Sequence, residues 1–229
     1  LAWLEKKKNC NNWVQEIARG HDPSIKDPLQ IAIIFAEYYD QIYKSETVMT
    51  VSNNRDFLAD FKMPRLDDHD IDQLEADIKE EDIETAIHAL KSGKALGPNG
   101  IPIEMYKLMS GTLAPHLLTM FKESRESGML PRDQRLATIV VIHKKGKPAD
   151  SCEGYRPISL IGAEAKILAK ILAQRLLGVI PSLIHPDQSG FMPDRSTALN
   201  LRRLHGVMSR EPYLGEPAAI LSLDTKMAF

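Results

Sequence analysis

The chain has 229 residues, of which 43% are apolar and 26% are charged, with a formal net charge of −2 and two cysteines. These proportions are typical of a globular protein, and they exclude a disordered chain and a disulfide-stapled secreted domain. No apolar run approaches the roughly 18 residues that a membrane span requires, and the first residues lack the apolar stretch of a secretory signal.

The N-terminal half predicts helices joined by loops. Asp27 and Pro28 place a capping carboxylate before a proline that suits the first helical turn. The glycines and prolines between 93 and 102 indicate a structured loop. Gly128 is the residue type expected where a helix ends in a left-handed conformation. Apolar residues at helical spacing predict four helices in this half, over 28–42, 82–91, 104–109 and 113–127.

The C-terminal half adds strands to this pattern. The β-branched run 137–142 predicts a buried strand, and 155–160 predicts its return partner after a polar loop. Helical spacing continues over 163–179 and 197–209, and the apolar run 218–223 predicts a last strand. The expected fold class is therefore α+β, rich in helices and with few strands.

Charge is spread unevenly along the chain. Between Asp67 and Glu84 there are ten acidic residues against one basic residue, Lys79. Between Phe121 and Arg210 there are fifteen Lys and Arg against eight Asp and Glu. Each run by itself is typical of a solvated surface, but a net-positive half favours a polyanionic partner.

A basic loop lies between the two predicted hairpin strands. Lys144, Lys145 and Lys147 surround Gly146, which lets a backbone approach closely, and Arg156 follows on the return strand. Ammonium and guanidinium groups in this arrangement can bind a phosphate chain. Lysines on surface hairpins also discourage edge-to-edge strand pairing, so the loop alone leaves both interpretations open.

Asp224 follows the last predicted strand, a position at which carboxylates often bind a metal in phosphoryl-transfer enzymes. Strand-ending aspartates are as often simple turn residues. Two-metal catalysis requires at least two convergent carboxylates, and the sequence ends five residues after this one. That ending, after an apolar run, predicts a fragment of a longer protein, as does the first residue, Leu1.

Several segments together resemble the reverse transcriptases of non-LTR (long interspersed element) retrotransposons. The segment 94–107 resembles the part that precedes the fingers, and 139–161 resembles the first fingers motif, with 166–172 continuing it. The segment 223–229 resembles the first palm motif. The second fingers motif is matched by 187–191, Arg195, Asn200 and 202–204.

The resemblance implies roles for individual residues. Asp224 would be the first of the aspartates that bind two Mg²⁺ ions, and Phe229 would close against the ribose 2′-position of the incoming nucleotide. Lys144 or Lys145, together with Arg156, would hold the triphosphate. Three residues would lie along the template: Gln188, Gly190 and Arg195.

The resemblance also implies an architecture and a setting. The fold would be the helix-rich fingers subdomain of a right-hand polymerase with the first palm strand, truncated, over residues 80–229. Residues 1–79 would form a linker and N-terminal helical extension. The implied partners are an RNA template, a DNA primer and deoxynucleoside triphosphates, and the implied location is the nucleus and cytoplasm, with no membrane.

The sequence departs from the family pattern at two places. Asn99 stands where the family usually has aspartate, and Lys226 puts a positive charge close to Asp224 where a negative charge is usual. With one metal carboxylate and no second palm motif or thumb, we expect the chain alone to be inactive. Two alternatives stay open, a non-catalytic RNA-binding module and an unfolded product of a decayed element.

Overall fold

The fold is that of a computed structural model, which describes residues 14–18, 24–44, 59, 64–214 and 220–224. Within these ranges the chain forms helices and one two-stranded antiparallel sheet, which confirms the helix-rich α+β class. The elements are α1 (Pro28–Tyr43), α2 (Asp68–Glu75), α3 (Glu80–Ala89), α4 (Ile103–Leu108), α5 (Ser110–Ser127), β1 (Ala137–His143), β2 (Tyr155–Ile161), α6 (Ala163–Leu183) and α7 (Thr197–Leu214).

Local signals place two helix ends where the sequence predicts them. The Asp27 side chain accepts a hydrogen bond from the Gln30 backbone N–H at 2.9 Å, and Pro28 occupies the first position of α1. Gly128 follows α5 with φ of 70°, the left-handed conformation that glycine adopts at little cost. Both ends depend on residues within one turn, which is why the sequence alone is sufficient to predict them.

The strands pair as predicted, but β1 is not buried. Their register runs from the pair of Ala137 with Ile161 to the pair of His143 with Tyr155. The β1 side chains of Ile139 and Ile142 are 53% and 55% exposed. The prediction of a buried strand is wrong because β propensity reports how a side chain fits a pleated surface, whereas burial depends on which elements cover that surface.

The predicted last strand is also absent from the part of 218–223 that the structure describes. Residues 220–224 have no regular secondary structure, and Ile220, Leu221 and Leu223 are between 61% and 83% exposed. A strand requires a neighbour for its backbone hydrogen bonds, and the described sheet contains β1 and β2 alone. The first palm strand is therefore not formed by these residues.

Residue contacts divide the chain into two compact units. One comprises residues 1–62 and 78–171, and the other comprises residues 63–77 and 172–229. Helix α6 contributes to both, since the division falls between Ile171 and Leu172. The boundary predicted at residues 79–80 remains a prediction.

The first unit contains two apolar clusters. In one, α3, α4, α5 and α6 pack together, and Ile83, Ile87 and Ile167 are completely buried. In the other, α1 packs against the start of β2, where the rings of Phe35 and Tyr155 meet edge to face with centroids 5.3 Å apart. The second cluster therefore fixes the end of the hairpin from which the basic loop projects.

Candidate functional site

The loop between β1 and β2 is held by its own backbone. The Lys144 N–H donates to the Gly154 carbonyl at 2.7 Å, and the Tyr155 hydroxyl donates to the Ala149 carbonyl at 2.7 Å. The Ala18 N–H donates to the Asp150 carbonyl at 2.8 Å, which ties the loop to the N-terminal segment. A loop fixed in this way has an ordered backbone before any ligand arrives.

The structure distinguishes the basic side chains of this loop. The Lys144 ammonium donates to the Glu153 carbonyl at 2.9 Å, so part of its hydrogen-bonding capacity is used inside the loop. The exposed side chains of Lys145, Lys147 and Arg156 make no ion pair or hydrogen bond with the described residues. Arg156 lies opposite Ile142, one position from the loop end of the hairpin. Three cations that have no partner among the described residues thus lie at or near one end of the hairpin.

The 93–102 loop packs against the junction of β2 and α6. A Cβ atom at Gly97 would lie 2.6 Å from the Ile161 carbonyl oxygen, so this close approach requires glycine. The Asn99 amide donates to both carboxylate oxygens of Glu164 at 3.2 Å, and the Tyr106 hydroxyl donates to the same carboxylate. The motif that carries much of the family resemblance therefore has a structural role here.

Two pKa values report the local electrostatics of this loop. Burial, followed by the hydrogen bond to Glu164, raises the pKa of the Tyr106 hydroxyl well above its ordinary value. The Gly93 N–H, which donates to the Glu104 carboxylate at 2.6 Å, lowers the pKa of that carboxyl. Both groups therefore keep their ordinary charge states near neutral pH, Tyr106 as a neutral donor and Glu104 as an acceptor.

The Arg195 side chain caps the C-terminal end of α6. Its guanidinium donates to the carbonyls of Pro181 and Ile184 at 3.2 Å, and these are among the carbonyls that a helix end leaves without partners. It also donates to the carbonyls of His185 at 2.7 Å and Gln188 at 3.0 Å. Arg195, for which the family resemblance implies a position along the template, thus donates four hydrogen bonds to the end of α6 and to the loop that follows it.

Side chains of α7 hold the rest of the loop that follows α6. The Asn200 amide donates to the Asp187 carbonyl at 2.6 Å, and Arg203 forms an ion pair with the Asp187 carboxylate. The Gln188 amide donates to the Gly190 carbonyl at 3.3 Å. Phe191 has φ of 61° and a side chain that is 99% exposed, a feature that sequence patterns do not reveal because it depends on the loop's path.

We expect the substitution Arg195→Lys to lower the free energy of unfolding by about 2 kcal/mol, because an ammonium cannot reach four carbonyls that a planar guanidinium spans. Urea titration followed by circular dichroism measures this change. Arg202→Lys is the matched control, since Arg202 is an exposed α7 residue outside the Arg195 hydrogen-bond network, and its effect should stay within about 0.5 kcal/mol. If the two substitutions lowered the free energy of unfolding equally, the four hydrogen bonds of Arg195 would not stabilise the chain as described.

Asp224 is exposed, and no grouping of three or more His, Cys, Asp or Glu side chains within the described ranges could hold a metal ion. These residues therefore do not by themselves fit a metal centre, and the metal role of Asp224 stays a prediction. Phe229, the predicted nucleotide contact, lies outside the described residues. None of the described helices is long and apolar enough to cross a membrane.

Comparison with known proteins gives partial but consistent matches, although no family model matches the chain. The uncharacterized 149 kDa protein of transposon TX1 from Xenopus laevis is 27% identical over 226 residues, which cover 99% of this chain and 17% of that protein. The probable RNA-directed DNA polymerase from transposon BS of Drosophila melanogaster is 32% identical over 129 residues, covering 56% of this chain and 14% of that protein.

The RNA-directed DNA polymerase from mobile element jockey of Drosophila melanogaster is 27% identical over 151 residues, which cover 65% of this chain and 16% of that protein. The chain thus spans about a sixth of the length of these curated relatives. Its motifs and its relatives agree: the chain is a homologue of the RNA-directed DNA polymerases of non-LTR retrotransposons.

Proposed function

We propose that this chain is the fingers-side part of an RNA-directed DNA polymerase, and that it binds the RNA template and the incoming deoxynucleoside triphosphate. The observation that carries the proposal is the set of three exposed cations at or near the end of the hairpin, which have no partner among the residues the structure describes, in a chain whose relatives include named polymerases. Nucleotide addition moves a highly charged phosphoryl group, so basic side chains that neutralise the phosphates lower its barrier.

In this proposal the hairpin binds the triphosphate. Lys145 is better suited than Lys144 to contact the phosphates, because the Lys144 ammonium already donates to the Glu153 carbonyl. The planar guanidinium of Arg156 can donate hydrogen bonds to two phosphate oxygens at once. The internal hydrogen bonds of the loop support this role, since a cationic loop that is ordered before binding loses less conformational entropy when the nucleotide binds.

The template would follow the loop that contains Gln188 and Gly190. Arg195 would act as a positioning residue there, because its guanidinium holds the loop through the Gln188 carbonyl. Residues 80–229 would form the partial polymerase domain and residues 1–79 its N-terminal extension. A surface of this kind follows the backbone of the template and leaves sequence recognition to base pairing.

Binding of a labelled single-stranded RNA to the purified chain tests this function. Fluorescence anisotropy between about 50 and 200 mM salt should show that affinity falls steeply as salt rises, because the cations release counterions from the RNA when they bind. An affinity that does not change with salt, or no detectable binding by the folded chain, would overturn the proposal.

The substitution Lys145→Ala should weaken the binding of a deoxynucleoside triphosphate about tenfold, the loss expected when one charge-assisted contact to phosphate disappears. Isothermal titration calorimetry measures this change. Lys122→Ala is the control, because Lys122 is also an exposed lysine but lies on α5, outside the hairpin. If the two variants bind the triphosphate equally well, Lys145 does not hold it.

A further inference from the structure

A second basic site, which we call the lysine cleft, is a cavity of about 350 Å³ in the first unit, and no residue of the hairpin loop lines it. Four lysines line it: Lys91 follows α3, Lys94 lies in the 93–102 loop, and Lys166 and Lys170 project from α6. No acidic side chain is among its lining residues. The cavity lies within the range of volumes that bind small ligands, roughly 300–1,000 Å³.

No carboxylate in the part of the chain that the structure describes neutralises the lysines of this cleft. None of the four forms an ion pair within the described residues, and the Lys166 ammonium contacts only the Ala95 carbonyl, at 3.4 Å. Lys166 and Lys170 are four residues apart on α6, so they are neighbours on one helix face and repel each other. The repulsion among these charges lowers the free energy of unfolding slightly unless an anion binds between them.

Apolar side chains line the cleft together with the four lysines. Leu90, Leu96, Ile101 and Ile103 contribute to its lining. The 93–102 loop, which contributes part of this lining, packs through Gly97 against the junction of β2 and α6. Apolar side chains beside four lysines match a nucleotide unit, whose base has an apolar face and whose phosphate is anionic.

We propose that this cleft binds the backbone of single-stranded RNA, with phosphates on the four lysines and a nucleoside against the apolar side chains of the lining. The inference rests on the proposed function, which it extends by adding a contact surface distinct from the hairpin and from the loop of Gln188. It also gives Lys94, at the start of the segment that resembles the family, a role in binding the polynucleotide.

The test compares salt dependence of RNA binding between the wild-type chain and the double variant Lys94→Ala/Lys170→Ala. For single strands the slope of log affinity against log salt changes by about 0.7 for each phosphate contact, so the double variant should have a slope shallower by about 1.4. The charge-preserving variant Lys94→Arg/Lys170→Arg should keep the wild-type slope, and so should Lys122→Ala. Circular dichroism confirms that each variant is folded.

The outcomes separate this inference from the function on which it rests. If the wild-type chain binds RNA with a steep slope that the double variant retains, the cleft proposal fails and the proposed function stands. If the wild-type chain does not bind RNA, both fail. If the double variant loses affinity for dTTP or pyrophosphate while its RNA slope is unchanged, the cleft serves a free nucleotide and the proposal is overturned.

Discussion

Replacing Gly154 with alanine is expected to lower the free energy of unfolding by at least about 3 kcal/mol, the upper range for inserting an atom where there is no space. A Cβ atom at this position would overlap the Pro148 carbonyl oxygen and lie 3.2 Å from its carbonyl carbon. Both are backbone atoms, so no side-chain rotation relieves the clash. The Lys144 N–H to Gly154 carbonyl hydrogen bond at the base of the loop would be disturbed as well.

Urea titration followed by circular dichroism measures the loss. Gly178→Ala makes the same chemical change within α6, where no atom lies within 4 Å of the added Cβ. This control should stabilise the chain by up to about 1 kcal/mol, because alanine favours a helix more than glycine does. If Gly154→Ala were as well tolerated as Gly178→Ala, the described path of the hairpin loop would be wrong.

The second large effect is expected at Gly97. A Cβ atom there would lie 2.6 Å from the Ile161 carbonyl oxygen and 2.7 Å from the Gly162 backbone nitrogen. The 93–102 loop would have to move away from the junction of β2 and α6. Gly97→Ala should therefore lower the free energy of unfolding by about 2–3 kcal/mol, and it should weaken RNA binding through the lysine cleft. The same denaturation and anisotropy measurements report both changes.

Gly100→Ala is the control for this loop. Gly100 has φ of 70° and no atom within 4 Å of an added Cβ, so its substitution costs about 1 kcal/mol of backbone strain and leaves the contact with α6 intact. The structure therefore predicts a larger loss at Gly97 than at Gly100. A larger loss of stability at Gly100 than at Gly97 would show that the backbone conformation of the loop contributes more to stability than its packing does.

Features that depend on neighbouring residues in the chain were predictable from the sequence. Asp27 caps α1 and Gly128 ends α5 because each acts within one helical turn. The antiparallel pairing of β1 with β2 was also predictable, since a polar loop joins two runs of strand-forming residues. The homology to retrotransposon polymerases could be inferred in the same way, from the order and spacing of several motifs.

Features that depend on distant residues were not predictable. The exposure of Ile139 and Ile142 and the absence of a strand at residues 220–224 depend on which other elements cover or pair with those segments. Likewise, the four hydrogen bonds of Arg195 become visible only when α6 and the following loop have taken their positions. The lysine cleft combines residues more than seventy positions apart, so no local pattern marks it.

The central claim, that the hairpin loop receives the phosphates of the incoming nucleotide, can be tested by titrating the isotopically labelled chain with dTTP and following backbone amide signals by NMR. The account predicts that the largest shifts fall on residues 144–147 and on Arg156, and that pyrophosphate competes for them. Shifts that leave this loop unchanged while appearing elsewhere, or no shifts at millimolar dTTP, would contradict it.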